Sequence, residues 1–180
     1  MEIIKTSIEG LVIIQPLVYE DERGYFMEAF KKDFIAEHFP SLQFIQDNES
    51  FSSYGVLRGL HFQKPPHEQT KLVRVIQGKV LDVAVDLREN SPTYGKWESI
   101  ILSSENKKQF LIPKGFAHGF VVLSENAIFS YKVDNPYHPE SDYGIIFNDE
   151  DLKIDWIIKE QDLIISNKDR NLIQLKDYEF

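Results

Sequence analysis

Apolar residues occupy every second position through the middle of the chain. In the segment KVLDVAVDLR, Leu81, Val83, Val85 and Leu87 alternate with a second set that includes two aspartates. Successive side chains of a β-strand point to opposite faces, so a period of two predicts a strand with unlike faces.

The segment AIFSYKVDNPY has the same period of two. Ala127, Phe129, Tyr131 and Val133 fall on one face, and the residues between them fall on the other. This pattern predicts a second strand with one apolar face.

Further apolar runs, separated by turn signals, extend the strand pattern over most of the chain. GLVIIQPLVYEDERGYFMEAF predicts two strands joined at DERG, and FLIPKGFAHGFVVLS predicts two strand halves around a Pro-Gly break. LRGLHFQKPPHEQTKLVRV predicts two short strands joined by a polar, Pro-rich turn. The remaining predicted strands are QFIQDNESFS and ESIILS, and the remaining predicted turns are NSPTYGKW and SENKKQ.

Two regions depart from the strand pattern. Residues 27–39 place Phe30, Phe34 and Ile35 on one helical face, and Pro40 follows, so the pattern predicts a helix. The last 35 residues have short apolar runs and many charges, which predict loops and a short helix packed on the strands. The whole pattern predicts an all-β sandwich or barrel with short helices near both ends.

Composition and charge narrow the class of protein. The 180 residues contain 42% hydrophobic residues and no evident linker or repeat, so we expect one domain over residues 1–180. The net charge of −9 disfavours nucleic-acid binding, which needs a basic face. No apolar stretch reaches the roughly 20 residues of a membrane span. The absence of cysteine and of a signal-like start favours the cytoplasm.

Histidines are the first candidates for chemistry. His61 and His118 lie inside apolar strand patterns, which is typical either of a buried structural histidine or of a functional one. His38, His67 and His138 lie beside predicted turns or at the helix end, where a surface position is expected.

The segment IPKGFAH matches half of the cupin pattern, at Pro113, Gly115 and His118. Cupins are double-sheet jelly rolls. Metal-binding cupins carry an earlier His-x-His, but here the second histidine is replaced by Gln63 after His61. A catalytic transition metal is normally held by three or four good protein donors, so we expect a cupin fold without a catalytic metal.

The chain resembles the dTDP-4-dehydrorhamnose 3,5-epimerases over nearly its whole length. The segments that carry the resemblance are DERGYFMEAF, FIQDN, VLRGLHFQ, KLVRVIQGKVLDVAVDLRENSPTYGKW, LSSENKKQFLIPKGFAHGFVVLSE, YKVDNPY and FNDEDLKIDW. The resemblance implies a cupin-like jelly roll. It also implies an isomerase that converts dTDP-4-keto-6-deoxy-D-glucose to dTDP-4-keto-L-rhamnose, in dTDP-L-rhamnose and cell-surface polysaccharide biosynthesis.

The chemistry of such an enzyme can be reasoned from the substrate. A base removes the proton beside a ketone, a cation or donor stabilises the enolate oxygen, and an acid returns a proton to the opposite face. The ketone itself accepts the charge, so we expect no cofactor and no metal. A histidine, a lysine and a tyrosine are sufficient for these roles.

The resemblance implies specific roles for the candidate residues. It implies a His61 base oriented by Asp169, a Tyr131 acid, and a Lys71 that stabilises the enolate oxygen with His118 in support. The substrate-binding residues that it implies are Arg23, Glu28, Gln46, Asn48, Arg58 and Tyr137. It also implies a homodimer in which Arg23 and Glu28 reach the partner subunit's site.

One of these assignments conflicts with strict alternation. Arg58 and His61 would lie on opposite faces of a regular strand. Both can serve one site only if the strand is irregular between them, and Gly59 is the expected position of that irregularity.

Three other functions remain open at this point. The chain could be a single-carbon epimerase or ketoisomerase acting on a related 4-keto sugar nucleotide. It could be a metal-dependent cupin with ligands His61, His67, His118 and Glu68. It could also bind a sugar nucleotide without catalysis, although such a binder has no need of both an acid and a base.

Overall fold

A computed structural model describes residues 1–179, and its secondary structure is mainly β. The strands are β1 Glu2–Lys5, β2 Val12–Gln15, β3 Val18–Asp21, β4 Gly24–Met27, β5 Gln46–Ser53, β6 Val56–Gln63, β7 Lys71–Gln77, β8 Lys79–Asp86, β9 Trp97–Ser103, β10 Gln109–Ile112, β11 Phe116–Val122, β12 Asn126–Val133, β13 Asp142–Gly144 and β14 Ile164–Ile165. The helices are α1 Lys32–His38 and α2 Asn167–Arg170, with 3-10 turns at Pro139–Ser141, Glu160–Asp162 and Leu175–Asp177.

The strands form two large sheets and one separate hairpin. The front sheet has the order β1-β2-β10-β7-β12-β5, and the back sheet has the order β13-β6-β11-β8-β9, with β14 added parallel to β6. Within residues 1–179, strands β3 and β4 pair only with each other. This double-sheet architecture confirms the predicted cupin-like jelly roll. Within the described residues the two sheets do not join into a closed barrel, so that part of the expectation is wrong.

The back sheet is buried on both faces. Val80 and Ala84 of β8 pack with front-sheet residues such as Phe129 in the core between the sheets. On the other face, Val83 packs against residues of the C-terminal segment, including Trp156. The two faces of β8 therefore line two separate cores. A strand with one face in solvent would instead carry polar side chains on that face.

The N-terminal helix is shorter than residues 27–39. Met27 belongs to β4, where it pairs with Val18, and α1 begins only at Lys32. Phe30 lies before the helix and packs edge-on against Phe44, with ring centroids 5.9 Å apart. The start of the predicted helix is therefore wrong, because Met27 pairs as a strand residue in the β3–β4 hairpin and does not join a helical turn.

An irregularity in β6 confirms the expectation at Gly59. His61 pairs with His118 and Arg58 pairs with Phe120, so three steps along β6 match two steps along β11. Gly59 has φ of +132°, and a Cβ at this position would lie 2.5 Å from the Cα of Gly119. A residue inserted in this way is a β-bulge, which turns Arg58 and His61 to the same side.

The C-terminal segment covers the outer face of the back sheet, as the sequence predicted. Trp156 donates its indole N–H to the carbonyl of Phe147 at 2.8 Å, and Trp97 donates to the carbonyl of Leu152 at 2.8 Å. Within residues 1–179, the helices are all too short or too polar to cross a bilayer.

Candidate active site

A cavity of about 580 Å³ opens between the two sheets. Its size is in the range of pockets that hold small ligands. Six of the residues predicted from the sequence line it: Arg58, His61, Lys71, His118, Tyr131 and Asp169. Its apolar wall includes Val56, Phe120 and Phe129.

His61 and Asp169 form a hydrogen-bonded pair at this cavity. Nε2 of His61 lies 2.8 Å from Oδ1 of Asp169, while the Gly59 N–H donates to Oδ2 at 3.2 Å. Ser166 caps the short helix α2 by accepting from the Asp169 N–H at 3.0 Å. The bulge and the cap thus fix the carboxylate against the imidazole from two sides.

The environment of Asp169 favours its charged form. Burial alone would raise the pKa of this carboxyl, but the hydrogen bond and charge of His61, together with the Gly59 N–H, lower it below its ordinary value. A carboxylate held against one imidazole nitrogen orients the ring and increases its basicity.

A second histidine–carboxylate pair lies deeper in the cavity. Nε2 of His118 is 3.0 Å from both carboxylate oxygens of Asp82, and Asp82 has no exposed surface. Burial lowers the pKa of His118, and burial raises the pKa of Asp82 against the opposing effects of His118 and Lys71. His118 is therefore held as a neutral, oriented imidazole whose other nitrogen remains for a ligand.

Asp82 was absent from the residues predicted to act in the site. Its signal in the sequence was an aspartate at a position that shares the inward face of β8 with Val80 and Ala84. A carboxylate on a fully buried face requires a partner. That partner, His118, is on the neighbouring strand β11.

Lys71 reaches the same cavity from the front sheet. Its Nζ donates to the carbonyl of His61 at 3.3 Å. Burial lowers its pKa to about 8, partly opposed by the charges of Asp82 and Asp142. Such an ammonium is poorly solvated and is well suited to stabilise an anionic oxygen of a ligand.

Tyr131 also comes from the front sheet. It lies on the inward face of β12 with Phe129, as the alternation predicted, and is half-buried. Burial raises the pKa of its phenol, which the charge of Arg58 partly offsets. The hydroxyl therefore keeps its proton at neutral pH and can donate it.

Two cations lie toward the opening of the cavity. Nε of Arg58 donates to Oγ of Ser52 at 3.1 Å, so the rest of the guanidinium can meet a ligand. Lys168 also lines the cavity and is paired with Asp142, which accepts from the Tyr137 hydroxyl at 2.8 Å. Asp142 and Lys168 were missed in the sequence because their pairing depends on how β13 returns beside β6.

The other predicted binding residues lie outside the cavity lining. Gln46 and Asn48 are hydrogen-bonded to each other at 2.8 Å on β5, and Asn48 pairs with Tyr131. Arg23 is paired with Asp21 in the β3–β4 hairpin, and its side chain is 85% exposed. Glu28 lies 3.6 Å from Lys31 just after the hairpin. Within the described residues of this chain, neither Arg23 nor Glu28 lines the cavity.

The metal ligands considered from the sequence do not form one cluster. Within residues 1–179, the ligand-type side chains that come close enough to share an ion are His67, His138 and Glu140. His61 and His118 are engaged instead with Asp169 and Asp82.

The jelly roll and its cavity define the class of this protein as a cupin-like fold with an acid–base site between its sheets. The family model described as dTDP-4-dehydrorhamnose 3,5-epimerase matches residues 5–177. The chain belongs to the dTDP-4-dehydrorhamnose 3,5-epimerase family.

Individual relatives agree with this assignment. The chain is 55% identical to the dTDP-4-dehydrorhamnose 3,5-epimerase of Methanothermobacter thermautotrophicus, over 97% of this chain and 94% of the relative. It is 52% identical to the Escherichia coli enzyme of the same name, over 98% and 96%.

A solved structure extends the comparison to a ligand complex. The dTDP-6-deoxy-D-glucose-3,5-epimerase of Legionella pneumophila was solved in complex with dTDP-4-keto-L-rhamnose. It superposes with a TM-score of 0.94 at 50% identity, covering 99% of this chain and 94% of that chain.

Proposed function

We propose that this protein epimerises dTDP-4-keto-6-deoxy-D-glucose at C3 and C5 to give dTDP-4-keto-L-rhamnose. The observation that carries the proposal is the cavity itself. It presents the His61–Asp169 pair from the back sheet and Tyr131 and Lys71 from the front sheet. A sugar ring held between the sheets would meet a base on one face and an acid on the other.

The proposed reaction begins at His61. Its imidazole removes the proton from the carbon beside the ketone and becomes an imidazolium, which the Asp169 carboxylate stabilises. The electron pair moves into the ring C–C bond and on to the carbonyl oxygen, forming an enolate. The ammonium of Lys71 and the imidazole of His118 stabilise that oxygen.

The second half of the reaction returns a proton. Tyr131 donates its phenolic proton to the opposite face of the same carbon, and the enolate collapses to the ketone with inverted configuration. The phenolate and the imidazolium regain their neutral forms by exchange with solvent. The same sequence at the second carbon completes the reaction, and the ketone is the only electron acceptor required.

Binding of the nucleotide is proposed to use the outer residues. The guanidinium of Arg58 and the ammonium of Lys168 suit diphosphate oxygens, since both are cations at the cavity opening. Gln46 and Asn48 suit the polar edge of the thymine or sugar, and Tyr137 offers an exposed ring for stacking.

The β3–β4 hairpin supports a proposed homodimer. Tyr19, Tyr25 and Phe26 are more than half exposed although they are large and apolar, and the hairpin pairs with no other strand within the described residues. Such a surface is expected to be covered by a partner. We propose that it places Arg23 and Glu28 in the partner subunit's site, and that the dimer acts in the cytoplasm in the synthesis of cell-surface polysaccharide.

Product analysis tests the proposed function. Purified protein is incubated with dTDP-4-keto-6-deoxy-D-glucose, a 4-keto reductase and NADPH, and the reduced sugar nucleotide is identified by NMR. Formation of dTDP-L-rhamnose is expected. A product inverted at one carbon only would instead identify a single-carbon epimerase, and an unchanged sugar would contradict the proposal.

A further inference from the structure

Two surface loops bring His67 and His138 into contact outside the substrate cavity. His67 lies between β6 and β7, and His138 lies between β12 and β13. Their ring centroids are 3.6 Å apart and their planes differ by 15°. The active-site cavity is lined by neither of them.

The spacing of these two histidines is fixed by Gln63. This side chain is only 7% exposed, and its Nε2 donates to the carbonyls of His67 at 2.5 Å and of Pro136 at 3.1 Å. Its Oε1 accepts from the backbone N–H of His138 at 2.6 Å. One buried amide therefore joins both loops, and the imidazoles are held near each other by the backbone.

Each imidazole is also oriented through its Nδ1 atom. Nδ1 of His67 lies 2.9 Å from the Ser141 hydroxyl, and Nδ1 of His138 lies 3.1 Å from Oε1 of Glu140. Histidines that bind metals are held in this way, with one ring nitrogen on a carboxylate or another polar group and the other on the ion. Here Nε2 is the atom of each ring that remains for a ligand.

We propose that His67 and His138 bind a divalent transition-metal ion through their Nε2 atoms. Glu140 orients His138 and contributes the negative charge, and water completes the coordination. One ring nitrogen of each histidine and one carboxylate oxygen of Glu140 lie within 4.8 Å of one another.

The chemistry of the ligands selects the class of ion. Imidazole nitrogen suits zinc, nickel, copper and cobalt, whereas calcium and magnesium prefer an all-oxygen shell. The stacked rings must tilt apart so that their lone pairs converge. Both are partly exposed, so an ion and its water ligands can reach them. The site takes no part in the enolate chemistry and does not depend on the proposed function.

Isothermal titration of tag-free protein with Ni²⁺ alone tests the proposal. The variants are His67→Ala, His138→Ala and Glu140→Gln, and the matched control is His38→Ala, which removes an exposed histidine from α1. We expect one Ni²⁺ per chain in the wild type and in the control. Each alanine variant should lose this binding, and Glu140→Gln should weaken it by about tenfold or more.

Two results would overturn the proposal. One is wild-type protein that binds no Ni²⁺, and the other is binding that persists unchanged when His67 or His138 is replaced. The Glu140 side chain is 66% exposed, so Glu140→Gln keeps the test decisive even where an alanine variant fails to fold. Unchanged affinity in Glu140→Gln would contradict the orienting role of this carboxylate.

Discussion

At Lys71, burial removes much of the hydration that stabilises an ammonium ion. Its pKa of about 8 lies close to working pH, whereas burial moves the pKa of Tyr131 in the opposite direction, further above neutrality. The proposed reaction needs both groups protonated when the enolate forms. Lys71 is therefore the group expected to set the alkaline limit of activity.

The first prediction concerns this alkaline limit. Because the ammonium is the active form, kcat/KM should fall as pH rises through about 8. Lys71→Gln should reduce kcat by roughly 10²–10³-fold and remove this limb of the profile. The measurement is kcat/KM from pH 6 to 10 for both proteins. A wild-type profile that stays flat across this range would rule out the role of the ammonium.

The second prediction concerns Asp82. Asp82→Asn keeps the shape of the side chain but removes the charge that orients His118, so kcat should fall by about tenfold or more while KM changes little. A suitable control is Asp86→Asn on the same strand, because Asp86 is buried but paired with Arg88 and Thr93 outside the cavity. The control variant Asp86→Asn should unfold at a lower urea concentration than the wild type and should keep the wild-type kcat. Equal kcat in the two variants would contradict a positioning role for Asp82.

At the scale of elements, the β6 bulge determines whether the site exists. It turns Arg58 and His61 to one cavity, and the Gly59 N–H within it holds Asp169. Only glycine combines φ of +132° with the close approach of Gly119. Strict alternation would place Arg58 and His61 on opposite faces of β6. The site requires both in one cavity, and the bulge at Gly59 brings them to the same side.

The third prediction tests the bulge. Gly59→Ala should lower the midpoint of thermal unfolding much more than Gly24→Ala does, and it should abolish activity. Both positions have positive φ, with a strain of about 1–3 kcal/mol for a non-glycine residue, but no atom lies within 4 Å of a Cβ at Gly24. The measurement is thermal unfolding of both variants. Equal midpoints would show that crowding at Gly59 carries no cost.

The elements also show what the sequence could and could not predict. The β8 and β12 strands followed from their period of two, because packing between sheets imposes that period directly. The start of α1 did not follow from its pattern. Residues 27–39 have a helical period, but Met27 pairs with Val18 in the β3–β4 hairpin. The burial of β8 on both faces depends on the C-terminal segment, whose position no local pattern encodes.

The site was predictable to a similar extent. The positions of His61 and His118 in apolar strands indicated that they were unusual, and the family resemblance suggested their roles. Asp142 and Lys168 carried no such signal, since their role comes from a contact between β13 and α2, which are distant in sequence.

At the scale of the whole molecule, the cavity that this chain forms is lined by neither Arg23 nor Glu28. The β3–β4 hairpin that carries Arg23, and that Glu28 directly follows, exposes the aromatic side chains of Tyr19, Tyr25 and Phe26. A dimer that exchanges the two hairpins would cover these side chains and complete both sites, which is the arrangement a two-fold axis allows.

The fourth prediction tests this exchange by mixing two inactive variants. His61→Asn lacks the base but supplies Arg23, and Arg23→Ala lacks the arginine but keeps the base. After joint refolding, mixed dimers contain one complete site, so about a quarter of wild-type activity should return. Activity no higher than that of either variant alone would contradict a site shared between subunits.

The measurement that tests the proposed mechanism most directly is hydrogen exchange at the substrate carbons. Wild type and His61→Asn are incubated with dTDP-4-keto-6-deoxy-D-glucose in heavy water, and deuterium at C3 and C5 is followed by NMR and mass spectrometry. We expect deuterium at both carbons with wild type, and loss of exchange by about 10²–10⁴-fold in a folded His61→Asn. Near-normal exchange in that variant would show that another group is the base.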